Sequence, residues 1–482
     1  MYPQKSLFVV ATGAAALAVA STGCPDRELV QIQPEPQVQS TSVIQVGANR
    51  DLDILFVIDN SVSMGDEHES LIRNFPEFMR YLEDDRQIVG GLPNVHIGVV
   101  SSDVGIGKGN PNYCSDRPGR RPGRGDDGVL QNTMRTSGVV PSCPQIDGTF
   151  IEDVADASAP DGRRRNYRNG SLANTFACMA NLGTEGCFLE QHLEAMKRAL
   201  APQYNPENTG FLRKNAFLAV IILADEDDCS AKHEVVFDMD KVNDHELGFR
   251  CYEYGVECNG RRLPYSSGSY SQCTPIGATS GERGENASED TASQNYLYDP
   301  RYYANWLKAL KSDPSLIMVA GIIGPATRLD IQEDLRYGHY ADNTCPPSGD
   351  SFAAPAIRLQ SFLNEFGSDK SPSISICGGD LRTALSEIAK RITVGLSHTC
   401  LPPNVETTSG RAACEVIEIT QDGTKNPLPF CPTGGSTDSP CWTVQPNNNC
   451  PNTPDNLAIL RQGPQAAQGT TMEAYCSIKP SI

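Results

Sequence analysis

Asp59, Ser61 and Ser63 alternate at the end of the stretch Asp51–Ser63, DLDILFVIDNSVS, and offer one carboxylate and two hydroxyls to a common point. Oxygen donors of this kind suit a hard cation. Mg2+ takes oxygen ligands in octahedral geometry, uses only one or two carboxylates and leaves the remaining positions to water or a partner. Neutral hydroxyls keep such an ion electrophilic, so an Asp or Glu from a partner can complete its shell. The same residues also suit a simpler role, with Ser61 or Ser63 as a helix N-cap. A further carboxylate lies far along the chain at Asp225, which closes the apolar run Phe217–Asp225, FLAVIILAD.

The elements that must position these groups are legible as hydrophobic patterns. Ile54–Ile58 is an unbroken, β-branched-rich run of strand length, the signature of a strand buried on both faces of a parallel sheet. Phe217–Asp225 has the same character, and both runs end in Asp at the carboxyl edge, where open α/β sheets bind ligands. Val95–Val100, Leu316–Ile323 and Ser373–Cys377 are further strands. Between them lie helical faces: Leu71, Ile72, Phe75, Phe78, Met79 and Leu82, with Pro76 either kinking that helix or marking its first turn. Leu189, Leu193, Met196 and Leu200 form another, opened by Thr184 as N-cap; Tyr303, Trp306, Leu307 and Leu310, then Leu359, Phe362, Leu363 and Phe366, and finally Leu381, Ala384, Leu385, Ile388 and Ile392 complete the set. Strands alternating with helices predict an α/β fold with a doubly wound, mostly parallel sheet. Asp103, after the second strand, fits a turn or a place near the same edge. Glu226, Asp227 and Asp228 read as a solvated loop.

In residue type and order, DxSxS after the first strand, a Thr before a later helix and an Asp ending a further strand resemble the metal-ion-dependent adhesion site (MIDAS) of von Willebrand factor type A (VWA) domains. The resemblance spans residues 51–395. It implies a Rossmann-like VWA fold with Mg2+, or else Ca2+ or Mn2+, as cofactor. Ser61, Ser63 and Thr184 would contact the ion, Asp59 and Asp225 would hold it directly or through water, and a carboxylate on a protein or other ligand would take the open position. In that family the last helix can move when ligand binds. Whether the Leu381–Ile392 helix does so is open, and its disulfide-rich surroundings argue for restraint.

The organisation around this domain follows from composition. Residues 1–23 carry one Lys and an apolar run, Leu7–Ala20, too short for the ~20 residues of a membrane helix, and read as an export signal. Ser21-Thr22-Gly23 before Cys24 resembles a bacterial lipoprotein signal with Cys24 as the lipidated residue, although Ser21 stands where Leu is usual and Ala18-Val19-Ala20 is an alternative ordinary cleavage site. Of 17 cysteines, setting aside Cys24 leaves an even number, and export makes disulfides their default state. Residues 24–46, rich in Gln, Pro, Ser and Val, form a tether whose end, Ser42–Val46, can be an edge strand of the domain that follows. The VWA-like domain takes 47–398, with Cys-rich insertions at 104–180 and 229–295. Residues 399–482, holding Cys400, Cys414, Cys431, Cys441, Cys450 and Cys476, form a small disulfide-stapled β module.

A formal net charge of −19 disfavours nucleic acid and anionic membrane surfaces and attracts cations. No GxSxG, P-loop or HExxH motif occurs, and no general base is evident beside the candidate ion, so the chain reads as a non-enzyme. Arg124-Gly125-Asp126 is a tripeptide some adhesion receptors read, but in a run of Arg, Pro and Gly chance accounts for it. The expectation is a membrane-anchored, extracytoplasmic lipoprotein, at the periplasmic face or the cell surface, that binds an acidic ligand through a divalent cation. The alternatives are a structural envelope protein with a purely stabilising metal, and a metal-assisted hydrolase.

Overall fold

A computed structural model describes residues 42–47, 51–84, 92–107, 123–237, 249–263, 266–281, 295–311, 314–334, 338–346, 352–397, 399–401, 405–408, 411–420, 422–431, 438–446, 457–464, 466–467 and 470–478. The export signal, Cys24 and most of the tether lie outside the described residues. A central sheet holds seven strands: β1 Asp51–Ile58, β2 Asn94–Ser101, β3 Ile151–Ala155, β4 Arg163–Arg165, β5 Phe217–Ala224, β6 Ile317–Ile323 and β7 Ser373–Ser375, in the order β7-β6-β5-β1-β2-β3-β4. The five strands from β7 to β2 run parallel, while β3 and β4 add antiparallel pairs at one edge. Six longer helices accompany it: α1 Gly65–Asp84, α2 Leu172–Ala180, α3 His192–Leu200, α4 Pro300–Ala309, α5 Ile357–Asn364 and α6 Arg382–Ser397.

The central strands β1, β2, β5 and β6 are mostly apolar because both faces of the sheet are covered there. On one face Ile54, Phe56 and Ile58 of β1 and Ala219, Ile221 and Leu223 of β5 pack with α1, α2 and α6. On the other, Leu55 and Val57 of β1 and Val220 and Ile222 of β5 pack with α3, α4 and α5. Each large side chain buried this way contributes roughly 1.5–3 kcal/mol of hydrophobic stabilisation. Parallel pairing sets Ile58 opposite Leu223, so β1 and β5 deliver Asp59 and Asp225 to the same edge.

Several elements differ from the sequence expectation. α1 runs on both sides of Pro76 as one helix rather than starting there. Thr184 does not cap a helix: α3 begins at His192 with Gln191 at its N-cap position, leaving Thr184 and Leu189 in the preceding loop. Residues 104–180 are more than an inserted loop, since they supply β3, β4 and α2. Phe176 of α2 stacks on Phe75 of α1, ring centroids 3.6 Å apart, and lies 4.7 Å from Phe56 of β1. The Arg124-Gly125-Asp126 tripeptide is built into the fold, with Arg124 paired to Glu234 at 3.0 Å and the buried Asp126 accepting from the Ser101 hydroxyl at 2.7 Å.

The C-terminal segment forms small antiparallel sheets. Ser42–Gly47 pairs with Thr471–Ile478, which also pairs with Cys414–Ile419, and Lys425–Leu428 closes that sheet. Ser42–Gly47 is therefore an edge strand of the C-terminal sheet, not of the domain that follows it in sequence. Trp442 anchors a local core with Val416, Ile459 and Met472. Disulfides Cys414–Cys476 and Cys431–Cys441 staple this part, and Cys143–Cys178, Cys229–Cys251, Cys258–Cys273 and Cys345–Cys377 staple the larger one. Among the described residues no helix is long and apolar enough to cross a membrane.

Candidate cation site at the sheet edge

Asp59 leaves β1 wholly buried and is held by its own backbone: its N–H donates to the Leu223 carbonyl at 2.9 Å, and its carbonyl accepts from His68 Nε2 at 2.7 Å. Its Oδ1 accepts from the Ser61 N–H at 2.8 Å, the tight turn that a short carboxylate two residues upstream makes. The turn brings the Ser61 and Ser63 hydroxyls within 3.2 Å of each other. From the other strand, the Asp225 carboxylate hydrogen-bonds to the Ser63 hydroxyl. Four of the five residues expected from the sequence thus converge.

The fifth, Thr184, sits in the loop that closes over this turn. The Gly186 N–H donates to the Asn60 carbonyl at 2.9 Å, and a Cβ on Gly186 would strike the Asn60 side chain at 2.2 Å, so any larger residue there would have to displace the buried Asn60 amide. The methyl group of Thr184 lies 3.9 Å from where a Cβ on Gly65 would stand, which puts the residue beside the first turn of α1. Asp103 is a turn residue, its Oδ1 accepting from the Gly105 N–H at 3.0 Å.

The acids after Asp225 are not a solvated loop. Asp227 accepts from the N–H groups of Arg358 and Leu359 at 2.9–3.0 Å and so satisfies the open N-terminus of α5. Asp228 accepts from the Leu193 N–H of α3 at 3.0 Å and pairs with the fully buried Arg358 at 3.4 Å. Glu226 turns the other way, into the cluster. One carboxylate oxygen from each of Asp59, Asp225 and Glu226 all lie within 4.8 Å of one another. Asp59 Oδ2, Asp225 Oδ1 and Glu226 Oε2 are buried without a hydrogen-bond partner, although His192 Nε2 stands 3.4 Å from Asp59 Oδ2.

Electrostatics follow from this crowding. Burial, then the Asp59 and Glu226 charges, push the Asp225 carboxyl up to about 9. Burial and Asp59 raise Glu226 to about 7, and Glu190, buried behind it and hydrogen-bonded to it, is raised well above the carboxylate range by burial, Glu226 and Asp59. Burial opposes the charged form of His192, but the neighbouring Asp59 outweighs it and raises the imidazole. Buried carboxylates in mutual contact with unpartnered oxygens are costly unless a cation or protons balance them. The donor set, three carboxylates and two hydroxyls with all-oxygen chemistry, fits a hard divalent ion. Glu190, Glu226 and His192 were not among the sequence candidates. The acidic run at the end of β5 was the available signal for Glu226; nothing local marks Glu190 or His192.

No protein-family model and no curated protein matches the chain. Among solved structures, the chain is similar to the pilus adhesin SpaC from Lactobacillus rhamnosus GG in its open conformation, at 12% identity and a TM-score of 0.33 over 89% of this chain and 39% of that one. It is similar to the pilus adhesin RrgA from Streptococcus pneumoniae at 10% identity and a TM-score of 0.26, over 90% and 57% of the two chains. The human COPII-coat protein Sec24c gives 10% identity and a TM-score of 0.27, over 90% and 40%. The chain spans 39% of the length of the first of these structures.

Proposed function

We propose that this chain is an adhesive VWA-type domain, anchored outside the cytoplasm through Cys24, that grips a partner by way of a divalent cation at the β1–β5 edge. In this reading Asp59, Asp225, Ser61, Ser63 and Thr184 surround the ion, and an acidic group on a protein or other ligand takes the outward position. The observation that carries it is the convergence of Asp59, Ser61 and Ser63 from one strand end with Asp225 from another, with one oxygen of each carboxylate, Asp59 Oδ2 and Asp225 Oδ1, left without a hydrogen-bond partner. The rim supports a binding role as well. Val62, between the two serines, is 79% exposed, the most exposed large apolar side chain among the described residues.

A second reading rests on Glu226. A third carboxylate offsets the ion's charge and lessens its pull on a partner's acid, which suits a purely stabilising metal. The two readings separate in one experiment. The mature protein and Asp59→Ala are compared for cation-dependent thermal stabilisation and for chelator-sensitive capture of envelope components. Capture by the wild type, lost with chelator and in Asp59→Ala while the metal-free melt is unchanged, supports adhesion. Stabilisation by cation with no captured component supports the structural role.

A further inference from the structure

We propose that Glu226 is a third carboxylate ligand of the cation, making with Asp59 and Asp225 a cage that retains its ion without a partner and prefers Ca2+ to Mg2+. The inference rests on the presence of a cation at this site, which the adhesive and the stabilising readings share, and adds a ligand and an ion preference that favour the stabilising one.

Three observations carry it. First, Glu226 belongs to the cluster although its side chain is only half-buried: one of its carboxylate oxygens lies within 4.8 Å of oxygens of Asp59 and Asp225, and its Oε2 is buried without a hydrogen-bond partner. Second, Asp59 and Asp225 are 0% and 1% exposed and each aims an unpartnered oxygen into the same space, so the cluster is not a patch of surface acids. Third, Glu226 is held in place from behind. Its carboxylate accepts from the protonated Glu190 carboxyl, the Cys229 N–H donates to the Glu190 carbonyl at 2.7 Å, and Asp227 and Asp228 are fixed to the N-terminal ends of α5 and α3. The Cys229–Cys251 disulfide closes the segment that follows. A side chain between such neighbours has its direction set before any ion arrives.

The preference follows from donor count. Mg2+ demands near-ideal octahedral geometry at about 2.0–2.1 Å, dehydrates reluctantly and is met by one or two carboxylates. Ca2+ accepts six to eight oxygens, carboxylates in mono- or bidentate mode, at about 2.3–2.6 Å, so opposite ligands stand roughly 4.6–5.2 Å apart. Three carboxylates with two hydroxyls beside them exceed the one or two carboxylates that Mg2+ takes and match the more oxygen-rich, more tolerant shell of Ca2+.

The test measures Ca2+ and Mg2+ binding by calorimetry, with thermal unfolding in parallel, for the full mature protein, Glu226→Gln, Asp59→Ala, and Asp66→Asn, an exposed acid in the first turn of α1 that controls for general field effects. The proposal expects wild type to bind Ca2+ more tightly than Mg2+. It expects Glu226→Gln to lose at least about tenfold in Ca2+ affinity, the lower end of what metal-site neighbours cost, and more than Asp66→Asn loses. The metal-free Glu226→Gln melt should equal or exceed that of wild type, because one repelling buried charge is gone. A Glu226→Gln loss below tenfold, a loss matched by Asp66→Asn, or tighter Mg2+ than Ca2+ binding overturns it, and with Asp59→Ala still abolishing binding the underlying cation reading survives. A wild-type chain that binds neither ion sinks both. Should Glu226→Gln fail to fold, Glu226→Asp, which keeps the charge and withdraws the carboxylate by one methylene, is held to the same threshold.

Discussion

Three consecutive acids, Glu226, Asp227 and Asp228, follow Asp225, and the fold gives them different work. Asp227 and Asp228 close the N-termini of α5 and α3 and neutralise the fully buried Arg358, while Glu226 joins the carboxylate cluster. Arg358 donates as well to the carbonyls of Gly255, Ile276 and Tyr298, so it ties the β5 loop, the short helix Arg250–Gly255 and the entry to α4 together. Replacing Arg358 with Met leaves Asp228 buried without its charge partner, and chemical denaturation should show a loss of about 3–5 kcal/mol, the usual cost of breaking a buried pair. A loss under about 1 kcal/mol would show that the network is incidental. Val62 is the counterpart at the surface. Val62→Ser should leave stability within about 0.5 kcal/mol and cation binding unchanged, yet reduce cation-dependent capture if the rim is the docking face. At this scale the sequence was informative where chemistry and spacing are local: DxSxS forms its turn through Asp59 and the Ser61 N–H. It was silent where partners come from afar, as for Glu190 and His192, whose neighbours across the site are Glu226 and Asp59.

The strands were the most legible elements. β5 and β6 are continuous apolar runs because helices cover both faces, and their limits fall within a residue of the patterns that mark them, while β1 begins at Asp51, three residues before its apolar run Ile54–Ile58. Helix starts were less legible, since a start depends on which distant group satisfies the first N–H donors. Asp228 and the Ser230 hydroxyl, not Thr184, meet the Leu193 and Glu194 N–H groups of α3. Residues 104–180 show the same limit. Their Gly, Pro, Arg and Asp content hides β3, β4 and α2, which take their order from β2 and from the Phe56–Phe75–Phe176 stack rather than from local propensity. Phe176→Ala is therefore predicted to destabilise by about 3–5 kcal/mol, as for a large aromatic removed from a core. Denaturation of that variant near the wild-type midpoint would mean α2 is a decoration after all.

At the scale of the molecule, Ser42–Gly47 pairs with Thr471–Ile478, the last strand of the described residues, so the two ends of the described chain meet in the C-terminal sheet. Deleting residues 42–47 should speed hydrogen exchange at Thr471–Ile478 and leave exchange in β1 and β5 unchanged. The field of a net charge of −19 attracts cations in general and is screened by added salt. The acidic edge is where β1 and β5, the elements most plain in the sequence, bring together oxygen atoms from distant parts of the chain. The most direct test is the stoichiometry of divalent ion on the purified protein after dialysis against trace calcium and magnesium, measured by elemental analysis beside Asp59→Ala and Asp225→Ala. One ion per wild-type chain and none on either variant is the predicted result. Equal metal on all three proteins, or none on wild type, would contradict the account.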